Sequence, residues 1–216
     1  SFTPSDDNFF VLRIDHQFSL QDSMFVRYTL DEAKSINGGT TYLFPSKRDS
    51  RQQFLTFMET HIFGLSAINS FRFGYTRPTE KNHNLPQIEI PRNLFFNPDA
   101  PDFGQINVPR ISVFGYFGGP NAAVFNSYQF SDNVVLQRGA HTIKFGTEIH
   151  RYHTDSFTNS NTGGVWSFNS LESFLRAPNG TEEKTTTLAK SDPGKPPFKV
   201  FWRQTLLGFY VNDSYR

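Results

Sequence analysis

The chain contains no cysteine, which removes disulfides, thiolate metal sites and thiol nucleophiles together. It has no apolar run approaching the roughly 18 to 20 residues that a membrane-crossing helix requires, so a helical membrane protein is excluded, whereas barrel strands of about 9 to 11 residues are not. Neither sign of charge is in excess. The 21 Lys and Arg stand against 20 Asp and Glu, interspersed for a net charge of +1, and no basic stripe points to nucleic acid. Gly-x-Ser-x-Gly, Gly-x-x-x-x-Gly-Lys-Ser/Thr and His-Glu-x-x-His are absent, and no convergent set of polar residues at useful spacing suggests an enzyme. Residues 1–18 hold no basic stretch followed by an apolar one, so no signal peptide is visible there, and the chain reads as a segment of a longer one.

Aromatic residues are what it has in quantity: 25 Phe, 8 Tyr and 2 Trp in 216 residues, at a mean hydropathy of −0.49. Aromatic richness with a polar average fits alternating strands. In the segment 126–148 two such strands flank a turn at Arg138, Gly139 and Ala140. Ile143, Phe145 and Ile149 point one way, and Lys144, Glu148 and His150 the other. Residues 8–18 put Phe10, Leu12, Ile14 and Phe18 against Arg13, Asp15 and Gln17. Residues 24–34 put Met24, Val26, Tyr28 and Leu30 against Arg27, Thr29 and Asp31, and the two runs form a hairpin. A third strand over 51–63 alternates poorly, with Phe54, Leu55, Phe57, Met58, Ile62 and Phe63 on both faces. Residues 67–77 oppose Phe71, Phe73 and Tyr75 to Ser70, Arg72 and Thr76, and a last strand covers 201–216.

The connections alternate short and long: 19–23, 35–50, 64–66, 79–125, 138–140 and 154–201. The long ones carry loop formers such as Asn37-Gly38-Gly39 and Gly118-Gly119-Pro120. Gly38-Gly39 and Gly163-Gly164 are read as turns rather than anion nests. Residues 164–168 suit a short extra strand and 171–176 one helical turn. A Greek-key sandwich has no reason to keep this parity, whereas an up-and-down barrel of the outer membrane has short periplasmic turns and long extracellular loops. The predicted class is therefore all-β, an antiparallel meander of about seven strands forming part of a large transmembrane barrel. A soluble β-rich binding module, such as a carbohydrate-binding sandwich, is the alternative.

Four segments in order carry a resemblance. RIDHQFSLQDSMFVRYTLDE at 13–32, INSFRFGYTRP at 68–78, FSDNVVLQRGAHTIKFGTEIHRY at 130–152 and GFYVNDSYR at 208–216 resemble strands of TonB-dependent outer-membrane receptors. The similarity is greatest to the large acidobacterial type with a carboxypeptidase-regulatory-like N-terminal domain. The resemblance implies a barrel of about 22 strands with a plug in its lumen, placed in the bacterial outer membrane and energised through the TonB complex. Its ligand would be a scarce glycan, siderophore or peptide. Residues 1–216 would then be a partial barrel without its plug domain, its TonB-binding region or its remaining strands.

On that reading Arg13, Asp15, Arg27, Asp31, Arg72, Lys144 and Glu148 face the lumen, because Arg or Lys facing lipid at mid-bilayer costs about 2–4 kcal/mol. Asp132 and Asp213 break the pattern, falling in phase with Phe130 and Val134 or with Phe209 and Val211; a bulge or the periplasmic rim would excuse them. Ligand capture is expected in the loops, at Asn97, Asp99, Asp102, Phe103, Phe114, Tyr116 and Phe117, where polar groups mix with aromatics. No cofactor or metal is expected: His150 and His153 fall on opposite faces of a strand, and His16 and His61 read as ordinary strand or interface residues.

Overall fold

A computed structural model describes residues 4–38, 43–95, 100, 103–111, 113–115, 121–158, 163–176, 184–187 and 198–216. Seven long strands form one antiparallel sheet in the order β1-β2-β3-β4-β7-β8-β11. They are β1 (Ser5–Gln17), β2 (Asp22–Asn37), β3 (Ser46–Phe63), β4 (Ala67–Asn84), β7 (Asn121–Arg138), β8 (His141–Thr158) and β11 (Phe198–Tyr215). Between them lie the short strands β5 (Gln105–Asn107), β6 (Phe114–Gly115), β9 (Val165–Phe168) and β10 (Lys184–Thr187), with the helix α1 (Leu171–Arg176). Both small elements expected in the last long connection are present, over 165–168 and 171–176.

The long strands outrun their sequence signal at the long-loop end, so the connections shrink to 38–45, 85–120 and 159–197. Residues 79–125, expected to hold no continuous strand, instead contain the end of β4, the start of β7, the short β5 and β6 and a 3-10 turn at Arg92–Leu94. At the other end the turns are tight. Ser19 Oγ accepts from the amides of Gln21 and Asp22 at 3.0 Å each, closing the β1–β2 turn. Gly139, at φ 61° with open space around it, supplies the first central residue that a II′ hairpin turn demands.

The register settles the faces, because directly paired residues share one. One row across the sheet reads Ile14, Val26, Phe57, Phe73, Phe130, Ile149 and Leu207. The adjacent row on the other face reads Asp15, Phe25, Met58, Arg72, Ser131, Glu148 and Gly208. The mixed pattern of β3 resolves the same way: Leu55 and Phe57 stand on the apolar face, Phe54, Met58 and Ile62 on the polar one. Phe209 and Val211 on the apolar face are each 78% exposed. No second layer of strands covers them among the described residues, which removes the buried core a soluble sandwich would need.

The sheet is also staggered. Ser23, at the β1–β2 hairpin end, pairs with Thr60, yet β3 runs on to Phe63; Ala67, at the β3–β4 end, pairs with Leu136, yet β7 runs on to Arg138. Each hairpin starts lower than the one before, the shear that inclined barrel strands require. An 18-residue strand spans about 60 Å, or about 40 Å of height when tilted near 45°, more than the apolar band of about 25 Å. The surplus lies at the long-loop end, where the apolar face turns polar and ion pairs cross it: Arg51 to Glu32 at 3.1 Å and Arg203 to Asp155 at 2.8 Å.

The long connections meet in a small sheet of order β10-β9-β5-β6, in which β5 and β9 run parallel. Gly104, at φ 91°, lies so close to the other loop that a Cβ would stand 2.4 Å from the carbonyl oxygens of Gly163 and Gly164. Only glycine fits that approach. Gln105 donates its amide to Gly164 O at 3.0 Å, pinning the two loops. Phe44, from the first long connection, is 5% exposed and meets Phe114 edge-on at 5.0 Å between ring centroids. All three long connections thus contribute to one cap.

Candidate functional site

The polar face of the long sheet carries the charged groups, and their placement follows from alternation alone. Arg13, Asp15, Arg27, Asp31, Arg72, Lys144 and Glu148 all stand on this face by register. They do not converge. Arg13 donates to both oxygens of Asp15, at 2.8 and 2.6 Å, and its guanidinium covers the Phe25 ring at 4.6 Å. Arg27 lies opposite Arg13, Asp31 opposite Phe9, and Lys144 between Val135 and Asn212.

Arg72 and Glu148 do share a groove. It has a volume of about 340 Å³ and is lined by Phe25, Phe54, Thr56, Arg72, Gly74, Gln129, Ser131 and Glu148 among others. Gly74 forms its floor, where an added Cβ would reach only Gln129, at 3.6 Å. The open floor is thus an absence of side chain rather than a steric demand. Toward the loops, Glu148 accepts from His150 Nε2 at 2.7 Å, and His150 Nδ1 bonds the Tyr152 hydroxyl at 3.0 Å. Above the apolar band Arg48 reaches Glu80 at 2.7 Å and Asn82 donates to it at 3.0 Å. Those two bonds, Asn82's first and then Arg48's, hold the Glu80 carboxyl below its ordinary range.

The residues expected to capture ligand in the loops divide. Asn97, Asp99, Asp102, Tyr116 and Phe117 lie outside the described residues. Phe103 and Phe114 are packed on each other edge-on at 5.5 Å, and Phe103 meets Phe95 at 5.7 Å. Their rings hold the cap together. Beside them a cavity of about 270 Å³ is lined by Leu94, Phe103, Gln105, Ile106, Trp166, Phe168 and Phe174.

The histidines behave as strand residues. His150 stands on the polar face and His153 on the apolar one, as their spacing requires. His61 bonds Asp22, and Glu59 comes within 4.8 Å of both at the short-turn end of the apolar face. The sequence reading missed the chain of Glu148, His150 and Tyr152; their even spacing along one strand was its available signal.

Asp213 stands near the short-turn end of β11 and bonds His141 Nδ1 at 2.7 Å, so the rim accounts for it. Asp132 is different. It lies within the apolar band between Phe130 and Val134, in unbroken register, and accepts from Asn69 Nδ2 at 2.5 Å. The pairing is continuous there, so no bulge accounts for it, and a neighbouring amide answers the carboxylate.

A two-faced, staggered meander whose apolar face is not covered by protein among the described residues has lipid as the partner of that face, and its polar face is then the inner wall. Comparison with curated proteins and with solved structures finds no match. The family model described as "outer membrane beta barrel domain" matches residues 1–216. The chain therefore belongs to the outer membrane beta barrel domain family, and its place is the bacterial outer membrane.

Proposed function

We propose that this barrel wall is part of a TonB-dependent receptor that binds a scarce nutrient and imports it with energy relayed from the inner membrane. The observation that carries the reading is the pairing of β5 with β9. It joins the 85–120 and 159–197 connections into one cap at the end of the strands opposite the tight turns, next to a polar inner wall. Loops welded across a mouth select what enters, which a simple open pore does not need. The four segments that resemble the receptors fall on β1–β2, β4, β7–β8 and β11, in the same order. In this reading further strands complete the barrel, a plug fills it, and the TonB complex acts on the plug. The role is binding and passage, with no chemical step assigned to this wall.

Deleting residues 97–120 from the intact receptor removes β5 and β6 and leaves every long-strand ladder in place. Shortening a loop costs the fold little. The expected result is a barrel that still migrates as a folded species in unheated gels but no longer supports uptake of its nutrient. Uptake in the parent should also vanish in a host without TonB. Uptake at the parental rate after the deletion, or in the TonB-less host, would refute the proposal.

A further inference from the structure

Toward the loop end of the polar face, Phe125 of β7 and Trp202 of β11 lie on either side of Thr154 of β8 in one register row. Tyr152 stands in the next row of that face, between Ser127 and Gln204. The rings of Phe125 and Tyr152 stack, 5.7 Å between centroids at 20°. With Trp202, Thr154, Arg203 and Gln204 they frame a hollow of about 600 Å³.

These rings are not lipid anchors. Interfacial aromatic belts face outward, whereas Phe125, Tyr152 and Trp202 stand opposite in phase to Phe130, Ile149 and Leu207. Trp202, on the edge strand of the described sheet, is 68% exposed. A wide aromatic surface turned toward a wet lumen gains stability when a flat apolar face stacks on it.

The polar groups beside the rings narrow the partner. When His150 donates Nε2–H to Glu148, its Nδ1 accepts the Tyr152 proton, and the phenolic oxygen keeps lone pairs for a ligand hydroxyl. Gln204 offers both a donor and an acceptor, and Thr154 a hydroxyl. The hollow offers no free cation among its lining residues: Arg203 alternates to the other face, where it pairs with Asp155 at 2.8 Å and bonds the carbonyls of Thr154 and Trp202 at 3.2 and 2.8 Å. An anionic chelate would leave its charge unanswered there. A pyranose ring, with C–H faces for the aromatics and hydroxyls at its edge for Tyr152, Thr154 and Gln204, matches every group.

We propose that Phe125, Tyr152 and Trp202 form a stacking subsite for a sugar ring of a neutral oligosaccharide on the inner wall. The proposal rests on the import reading and names the substrate class for it.

The test uses the intact receptor in detergent, titrated calorimetrically with maltohexaose, cellohexaose and xylohexaose, with tryptophan fluorescence as a second readout. At least one probe should bind. Trp202→Ala and Tyr152→Ala should each weaken that binding by about 3- to 10-fold, the scale of one lost ring contact. Trp202→Phe, which keeps a flat ring and guards against a folding artefact, should recover most of it. The subsite is refuted if no sugar binds the parent, or if Trp202→Ala binds as the parent does. Sugar binding that persists in a receptor whose uptake ignores TonB would instead refute the import reading and leave the subsite standing.

Discussion

Tyr210 lies across Gly146: a Cβ on that glycine would stand 2.7 Å from Tyr210 Cε1, and the tyrosine hydroxyl reaches past it to Asn133 Oδ1 at 2.8 Å. The three residues share one register row over β7, β8 and β11, so the ring fills the gap the glycine leaves in the polar face. The same Cβ would come within 2.7 Å of the Asp132 carbonyl oxygen, which is backbone and cannot swing aside. Gly146→Ala should therefore cost about 1–3 kcal/mol, the scale of overpacking a filled site.

Gly208 is the internal control. A Cβ there would make only ordinary contacts, 3.9 Å from Glu148, and glycine in a strand interior is weak in itself. Gly208→Ala should be neutral or slightly stabilising. Urea unfolding of the receptor in lipid vesicles would compare the two, and equal midpoints would contradict the argument.

How much of this was legible in the sequence depends on where water is. Along the apolar band one face is dry, so Phe10, Ile14, Val26, Phe73 and Phe145 alternate with polar residues and the strands declare themselves. Nearer the loops both faces are wet. Residues 79–84 and 121–125 then lose the alternation, although Thr79 to Asn82 still pair with Val124 to Asn121. Contacts at this end of the strands, such as Arg48 with Glu80 and Arg51 with Glu32, join residues far apart in the chain and appear only once the register is known. The third strand read poorly because Phe54, Met58 and Ile62 face inward beside polar neighbours. Phe103 and Phe114 fall among the expected ligand-facing residues because composition cannot distinguish a ring offered to a ligand from one packed on neighbouring rings.

The assignment of faces is open to a direct exchange between neighbours in β7. Phe130 belongs to the all-apolar row and meets Phe73 at 4.9 Å, while Gln129, the next residue, lines the inner groove. An arginine facing lipid near mid-bilayer costs about 2–4 kcal/mol, and one facing the lumen does not. Phe130→Arg should lower the unfolding free energy in vesicles by that amount and reduce the folded fraction in the membrane. Gln129→Arg should leave both near the parental values. The reverse ranking would mean that the sheet faces lipid with its other side.

Asp132 makes the sharpest demand on the apolar band. Its carboxylate stands between Phe130 and Val134 and is answered by the Asn69 side-chain amide at 2.5 Å, with the Asn133 carbonyl also 3.4 Å from that nitrogen. Removing one partner leaves the other unsatisfied where water is scarce, at a cost of about 1–3 kcal/mol, whereas removing both together can be nearly neutral. Asn69→Leu should therefore destabilise the receptor by about that much, and Asp132→Val should also destabilise it by stranding the amide. The double variant should be more stable than the sum of the two losses implies, with a coupling of about 1 kcal/mol or more. Vesicle unfolding of all four proteins measures that coupling directly. Strictly additive losses would mean that lipid headgroups or water, rather than Asn69, answer the charge, and that Asp132 lies nearer the membrane surface than the register places it.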